Sequence, residues 1–222
     1  MAVQALTPTT PTVMHLTTDG LLALDRRHRA ALINSVTGFK SANLIGTADE
    51  RGHSNLAIMS SLVHIGSSPP LLALVLRPDS VERHSLDNIR RTGQYSVNHV
   101  HESMIQAAHQ TAARYPRETS EFEATGLSER WIEGFAAPLV AEARVSLILG
   151  LREEQTLAIN GTQLLIGEVL YLECPDEALR EDGALRPERA GSVALSGLDS
   201  YHRADDPVRM AYAKPELPPR EL

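Results

Sequence analysis

The chain has 222 residues, 42% of them hydrophobic and 22% charged, which suits one globular domain with a sizeable core. Its 28 acidic and 21 basic side chains give a formal net charge of -7, which argues against a nucleic-acid-binding surface spread over the whole molecule. The first residues lack the pattern of a signal peptide, and no later stretch approaches the ~20 apolar residues that cross a bilayer. We therefore expect a cytoplasmic protein with no membrane partner. The single cysteine, Cys174, excludes an internal disulfide and a cysteine-rich metal site.

The first half of the chain alternates between helical and strand-like patterns. Residues 1–20 are rich in Thr and Pro and predict a flexible arm, whereas residues 25–35 carry apolar groups at helical spacing and predict a short surface helix. After Gly38, short apolar or alternating runs separated by turn residues indicate strands. These runs span 42–48, 61–66, 71–77 and 94–100. Between the last two, residues 82–93 predict a helix that ends at Gly93.

The second half continues in the same way. An apolar stripe predicts a helix over 101–113, and residues 115–138 are polar and irregular. Strands are then predicted at 140–151, 155–159 and 162–173, the last two separated by the hairpin signal Asn160-Gly161. The tail from 175 is mixed.

Six or seven strands joined by short turns, with helices inserted between them, indicate a mainly β fold with α additions. We expect a closed or nearly closed antiparallel Greek-key barrel rather than a doubly wound sheet. Since neither a G-x-G-x-x-G nor a P-loop motif is present, a Rossmann or P-loop nucleotide site is not expected. Residues 21–214 are predicted to form one domain, followed by a C-terminal tail at 215–222.

The most informative stretch for chemistry runs from Gly52 to Arg77. Ser60 and Ser61 supply hydroxyl donors for an oxyanion, the Arg77 guanidinium suits a phosphate, and backbone N–H groups near Asn55 and Ala57 suit a planar heterocycle. This combination favours a phosphorylated ring cofactor. The alternative is that the two serines simply end a strand and that Arg77 is solvated.

The start of the following helix favours the cofactor interpretation. Arg83, His84 and Ser85 lie where unpaired backbone N–H groups and the positive end of the helix dipole favour an anion. Ser85 could equally serve only as the helix N-cap.

These residues belong to a series of landmarks by which the chain resembles the flavin reductase-like family of FMN-binding split barrels. The landmarks are ANLIGTADERGHSNLAIMSSLVHIGSSPPLLALVLRP, RHSLDNIRRTGQYSVNHV, SEFEATGL, NGTQLLIGEV, SGLDSYHR and AYAKP. The resemblance runs from about Asp25 to Lys214 and depends on the order and spacing of the landmarks together. It implies a split β-barrel that binds FMN as cofactor and forms a homodimer with the flavin at the subunit interface.

Carried over residue by residue, the resemblance implies a set of cofactor contacts. Along the isoalloxazine ring and ribityl chain it places Asn55, Leu56, Ala57, Met59, Ser60 and Ser61; around the phosphate Ser61, Arg77, Arg83, His84 and Ser85; and near the flavin Asn98, His99, His109 and Tyr201. His109 to Ala112 resembles the segment that approaches the partner subunit's flavin. Two positions depart from the pattern: Thr162 replaces a histidine found in many relatives, and Glu121 stands where some relatives place a lysine towards the phosphate.

Two functions are compatible with this sequence. The first is an FMN-dependent oxidoreductase of the flavin reductase type, which passes electrons from NAD(P)H to flavin or another acceptor. The alternative is an FMN-binding electron-transfer protein that does not itself oxidise a nicotinamide, a reading that Thr162 keeps open. A metal site at His99, His101 and His109 is less favoured because no carboxylate or cysteine falls at a supporting spacing. A serine hydrolase is also less favoured, because the sequence contains no G-x-S-x-G motif.

Overall fold

The computed structural model describes residues 13–78 and 84–222. Two short helices come first, α1 (Thr18–Ala23) and α2 (Arg26–Ser35). The Asp25 carboxylate caps α2 by accepting hydrogen bonds from the Arg27 and His28 amides, at 2.9 and 3.3 Å, so the helix predicted at 25–35 is confirmed. Helix α1 begins inside the segment predicted as an arm, because the Thr17 hydroxyl caps it. Residues 1–12 of this N-terminal segment lie outside the described residues.

Strands make up more of the described chain than helices do. In chain order the strands are β1 (Lys40–Ser41), β2 (Asn43–Ala48), β3 (Ser54–Met59), β4 (Leu62–Ser67), β5 (Pro70–Leu76), β6 (Gln94–His99), β7 (Glu129–Arg130), β8 (Leu139–Val140), β9 (Ser146–Thr156), β10 (Gln163–Glu173), β11 (Val193–Ser196) and β12 (Ser200–Arg203). Seven of them form one antiparallel sheet in the order β3-β2-β6-β9-β10-β5-β4. Strands β1, β11 and β12 form a second sheet, and β7 pairs with β8.

The two edges of the seven-stranded sheet are joined by only two residues. Strands β3 and β4 lie at opposite ends of the strand order, yet only Ser60 and Ser61 separate them in sequence. Three consecutive Cα–Cα steps span at most about 11 Å, so the sheet must curl until its edges approach each other. The result is a barrel with a split between β3 and β4. The predicted split β-barrel is therefore confirmed, and the Ser60-Ser61 link lies at its split.

Strand β2 is buried along its whole length because it separates two hydrophobic clusters. Ile45 packs on one face with Tyr95, Leu149 and Leu165, and helix α3 (His84–Thr92) adds Leu86 and Ile89 to that cluster. Leu44 packs on the other face with Leu56 and Phe122. A strand covered on both faces shows no alternation of apolar and polar residues, which is the pattern of NLIGTA.

The remaining helices correct the sequence prediction in two places. The helix expected at 101–113 is a 3-10 turn (Glu102–Met104) followed by the shorter α4 (Ile105–Gln110). The segment expected to be irregular contains α5 (Glu121–Thr125), which buries Phe122 and ends at Gly126 with φ 74°. No helix within the described ranges is long and apolar enough to cross a membrane.

The predicted hairpin at Asn160-Gly161 is confirmed, with a longer loop than a two-residue turn. Strand β9 ends at Thr156 and β10 begins at Gln163, and the Leu157 amide donates to the Thr162 carbonyl at 2.8 Å. Gly161 adopts φ 74°, a conformation that glycine accepts without steric cost.

Candidate functional site

Two of the predicted site residues are in direct contact. The Asn55 Nδ2 donates a hydrogen bond to the Ser85 Oγ at 2.9 Å, which joins the first turn of α3 to β3. Both residues are only 7% exposed. Because the Ser85 oxygen accepts this bond, its hydroxyl proton remains able to donate to another group.

Helix α3 is held firmly in this position. Its Leu86 and Ile89 side chains are fully buried, and the Asn88 Nδ2 donates to the Thr47 Oγ1 on β2 at 3.2 Å. The start of the helix, where its dipole is positive, is therefore fixed beside β3. His84 is the first residue of α3 and is half-buried. Arg83, predicted as a phosphate ligand, lies outside the described residues.

The split of the barrel carries the other predicted phosphate contacts. Ser61 extends the pairing of β4 with β5: its Oγ donates to the Val75 carbonyl at 2.5 Å, and its own carbonyl accepts from the Val75 amide at 3.1 Å. Arg77 follows β5 directly and is exposed. Within residues 13–78 and 84–222 its guanidinium makes no hydrogen bond or ion pair, so it is open to an anion. Ser60 is half-buried.

The outward edge of β3 is already occupied by side chains from elsewhere in the chain. The Leu56 amide donates to the Glu121 Oε2 and the Ile58 amide to the Thr111 Oγ1, each at 2.9 Å. Successive amides of an antiparallel edge strand point alternately towards its neighbour and away from it. The amides of Asn55, Ala57 and Met59 therefore point to β2, their paired strand.

Each amide from 55 to 59 thus has a partner inside the chain. The expectation that amides near Asn55 and Ala57 face a ligand is wrong, because Glu121 and Thr111 close this edge. Leu56 is fully buried, whereas Ala57 and Met59 are half-buried and present only side chains.

The sequence did not predict that Glu121 and Thr111 bind the backbone of β3. Both are almost fully buried. Burial raises the pKa of the Glu121 carboxyl, while the hydrogen bond from Leu56 and the nearby His84 act in the opposite direction. The Thr111 hydroxyl donates to the Ala108 carbonyl at 2.8 Å while accepting from Ile58. Glu121 thus binds the backbone of β3, at a position where some relatives direct a lysine towards the phosphate.

Asn98 and His99 at the end of β6 are held by internal bonds. The Asn98 amide group is fully buried; it donates to the Leu44 carbonyl and the Ser96 Oγ and accepts from the Val140 amide. These bonds use both amide donors of the Asn98 side chain and hold it inside the barrel. The His99 Nδ1 contacts the Ser192 Oγ at 3.0 Å, and burial lowers the pKa of this histidine to about 4. His99 is therefore neutral at pH 7.

His109 and Tyr201, separated by 92 residues, are brought together. The His109 Nδ1 lies 3.1 Å from the Tyr201 hydroxyl, and the rings meet edge to face with centroids 5.8 Å apart. His109 is exposed and Tyr201 half-buried. Burial, and secondarily Asp199, raise the pKa of Tyr201, so its hydroxyl is protonated at neutral pH.

The three histidines considered as metal ligands have separate partners. His99 contacts Ser192, His101 contacts the Ser103 hydroxyl, and His109 contacts Tyr201. In the part of the chain that the structure describes, no three His, Cys, Asp or Glu residues are grouped in a way that could hold a metal ion.

Comparison with known proteins agrees with this architecture. Residues 36–192 match the family model for the flavin reductase like domain. A split-barrel protein from Shewanella frigidimarina, provisionally named a flavin reductase, is 46% identical; the match covers 90% of this chain and 100% of that one, with a TM-score of 0.87.

Two more distant structures share the fold. The FMN-binding protein from Thermus thermophilus is 18% identical, covering 74% of this chain and 86% of its own, with a TM-score of 0.63. An NADH:FAD oxidoreductase from Streptomyces globisporus is 16% identical, covering 88% and 100%, with a TM-score of 0.66. Because the family model matches well over half of its residues, the chain belongs to the flavin reductase-like family of split-barrel flavoproteins.

Proposed function

We propose that the protein is an FMN-dependent oxidoreductase of the flavin reductase type, which passes electrons from NAD(P)H through bound FMN to flavin or another acceptor. The contact between Asn55 and Ser85 carries this proposal, because it sets a hydroxyl donor and a helix start beside the strand that precedes the split of the barrel. The 46% identity to the Shewanella frigidimarina protein supports it.

The donors near the start of α3 fit a terminal phosphate. Ser85 keeps a hydroxyl proton to donate, the positive end of the α3 dipole lies beside it, and the exposed Arg77 guanidinium can form a bidentate pair. A phosphate monoester presents its charge on one compact group, which such a cluster matches. We therefore favour FMN over FAD and assign Arg83 and His84 to the same phosphate.

The remaining flavin contacts would come from the half-buried residues Ala57, Met59 and Ser60 along β3 and the split. Bound flavin supplies hydride acceptance and the transfer of one or two electrons. The protein's contribution is to orient the ring against a rigid strand and to exclude water from one face. Because the amides of Leu56 and Ile58 are bonded to Glu121 and Thr111, the polar contacts to the ring would come from groups at the split.

We also propose that the active unit is a homodimer with the flavin at the subunit interface. A ligand at an open barrel split is covered on one side only, and a second subunit can cover the other. The exposed His109, positioned by Tyr201, is the group that we assign to the partner's flavin.

The alternative is an FMN-binding electron-transfer protein without nicotinamide oxidation. Thr162 supports it, since it occupies the β9–β10 hairpin position at which many relatives carry a histidine. Its backbone is fixed by bonds to Asn160 and Leu157.

Anaerobic spectroscopy tests the proposal. The purified protein, reconstituted with FMN if needed, is mixed with NADH or with NADPH, and the flavin absorbance is followed. Bleaching by either donor is expected. Flavin that dithionite reduces but neither nicotinamide does would favour the electron-transfer alternative, and a protein that ignores added FMN would contradict both.

A further inference from the structure

The C-terminal residues 208–222 form a hairpin, which we call the arm. The Ala211 amide donates to the Arg220 carbonyl at 2.8 Å and the Leu222 amide to the Arg209 carbonyl at 3.0 Å, with Met210 opposite Glu221. The Arg209 guanidinium anchors the arm by an ion pair with Asp182 at 2.8 Å.

The arm exposes its apolar side chains instead of burying them. Tyr212 is 91% exposed and Val208 74%, and Met210, Leu217 and Leu222 are all more than half exposed. A two-stranded hairpin without a covered apolar face is at best marginally stable in water. This hairpin therefore needs a surface to pack on.

We propose that the arm packs against a second copy of this chain, and that the two subunits exchange arms. In a reciprocal exchange a twofold axis relates the two contacts, so both arms are buried in the same way. The inference rests on the homodimer proposed above but not on its flavin.

The area available suits a stable dimer. Burying a large aliphatic side chain removes roughly 100 Å² from water, and a tyrosine more, so five partly exposed side chains offer roughly 350 Å² per arm. Each arm covers a similar area on its partner, and two arms therefore bury roughly 1,400 Å². That total lies in the range of specific protein interfaces, about 1,200–2,000 Å².

The arm follows the residues that match the family model, 36–192, although it contains the AYAKP landmark. The exposed side chains of the arm can therefore be replaced without changing any residue of the barrel. A triple variant, Val208→Ser, Tyr212→Ser and Leu222→Ser, changes only exposed side chains. Ile159→Ser is the matched control, because Ile159 is 90% exposed on the β9–β10 hairpin.

Sedimentation velocity over a concentration series tests the proposal. The triple variant is expected to weaken the dimer by at least about 100-fold in dissociation constant, while Ile159→Ser leaves it within about twofold of wild type. An unchanged dissociation constant in the triple variant, or a wild-type protein that stays monomeric, would overturn the proposal. Circular dichroism verifies that the variants are folded.

Photo-cross-linking identifies the surface that the arm touches. A benzophenone amino acid is placed at position 212, and ¹⁴N- and ¹⁵N-labelled subunits are mixed before irradiation. Cross-linked peptide pairs with one light and one heavy member are expected, and pairs formed only within one chain would contradict the exchange. FMN absorbance separates the arm exchange from the flavin proposal. If the triple variant is yellow and dimerises as wild type does, the arm exchange alone is refuted. If the wild-type dimer is colourless and the triple substitution dissociates it, the flavin proposal alone is refuted.

Discussion

The carboxylate of Glu121 accepts the backbone N–H of Leu56 at 2.9 Å, at the outward edge of β3. Together with the bond from Ile58 to Thr111, it satisfies donors that an edge strand otherwise leaves open. Two side chains thus take the place of a further strand. The candidate flavin strand is fixed from this side before any ligand binds.

Replacing Glu121 tests the importance of this bond. Glu121→Ala leaves the buried Leu56 amide without an acceptor and is expected to lower the free energy of unfolding by about 1–3 kcal/mol. Glu121→Gln keeps an acceptor oxygen and should lose much less at pH 7. Urea unfolding of the three proteins makes the comparison, and equal losses in both variants would contradict the role of the acceptor.

The raised pKa of Glu121 also predicts a pH dependence. Because its pKa is higher in the folded protein than its ordinary value of 4.5, the protonated carboxyl stabilises the fold below that value, and this contribution is lost as the pH rises through the folded pKa. Wild type should therefore lose stability relative to Glu121→Gln as the pH is raised from 4 to 7. A constant difference between the two proteins would contradict the assignment.

Strands β2, β4, β5, β6 and β10 were predictable from sequence because each has a local pattern, whereas the short strands β1, β7, β8, β11 and β12 have too few residues to show one. The apolar run in 71–77, the alternation in 94–100 and the Asn160-Gly161 turn depend on neighbouring residues alone, and so does the helix that begins at His84. Helix α5, by contrast, has five residues and one fully buried apolar side chain, Phe122, too few to show a helical period. The bonds of Glu121 and Thr111 to β3 span 65 and 53 residues, a separation about which local patterns carry no information.

The lowered pKa of His99 predicts a second pH dependence of the free energy of unfolding, opposite in sign to that of Glu121. Its pKa falls from 6.5 to about 4 on folding, so the neutral imidazole stabilises the fold above pH 6.5, and this contribution is lost as the pH falls towards 4. At pH 5 wild type should have lost about 2 kcal/mol relative to pH 7.5 through this group. His99→Gln, which cannot titrate, should lack this part of the loss. Urea unfolding at both pH values measures it, and identical pH profiles would argue against a half-buried, neutral His99.

Substitutions at Tyr95 and Gly167 are expected to compensate each other in their effect on stability. Among the described residues, no group hydrogen-bonds the buried Tyr95 hydroxyl, and a Cβ at Gly167 would lie 2.4 Å from it. Gly167→Ala should therefore destabilise the protein by more than about 2 kcal/mol, whereas Tyr95→Phe removes an unpaired polar group and should be neutral or stabilising.

The double variant is the informative one. Removal of the hydroxyl relieves the closest clash, so Tyr95→Phe should restore a large part of the stability that Gly167→Ala loses. The rescue is incomplete because the new Cβ still meets Leu149 at 3.1 Å. Thermal and urea unfolding of the four proteins give the coupling energy, and strictly additive effects would contradict the contact.

The proposed phosphate site makes the most direct ligand prediction. Arg77→Ala removes a charge-assisted contact that only a phosphorylated flavin can make, so it should weaken FMN binding roughly 10- to 100-fold and leave riboflavin binding nearly unchanged. Ser85→Ala should act in the same direction with a smaller effect. Arg91→Ala is the control, since Arg91 is an exposed arginine in the last turn of the same helix, at the end opposite to Ser85. Fluorescence titration with both flavins measures the four proteins, and equal losses of FMN and riboflavin in Arg77→Ala would show that Arg77 does not hold the phosphate.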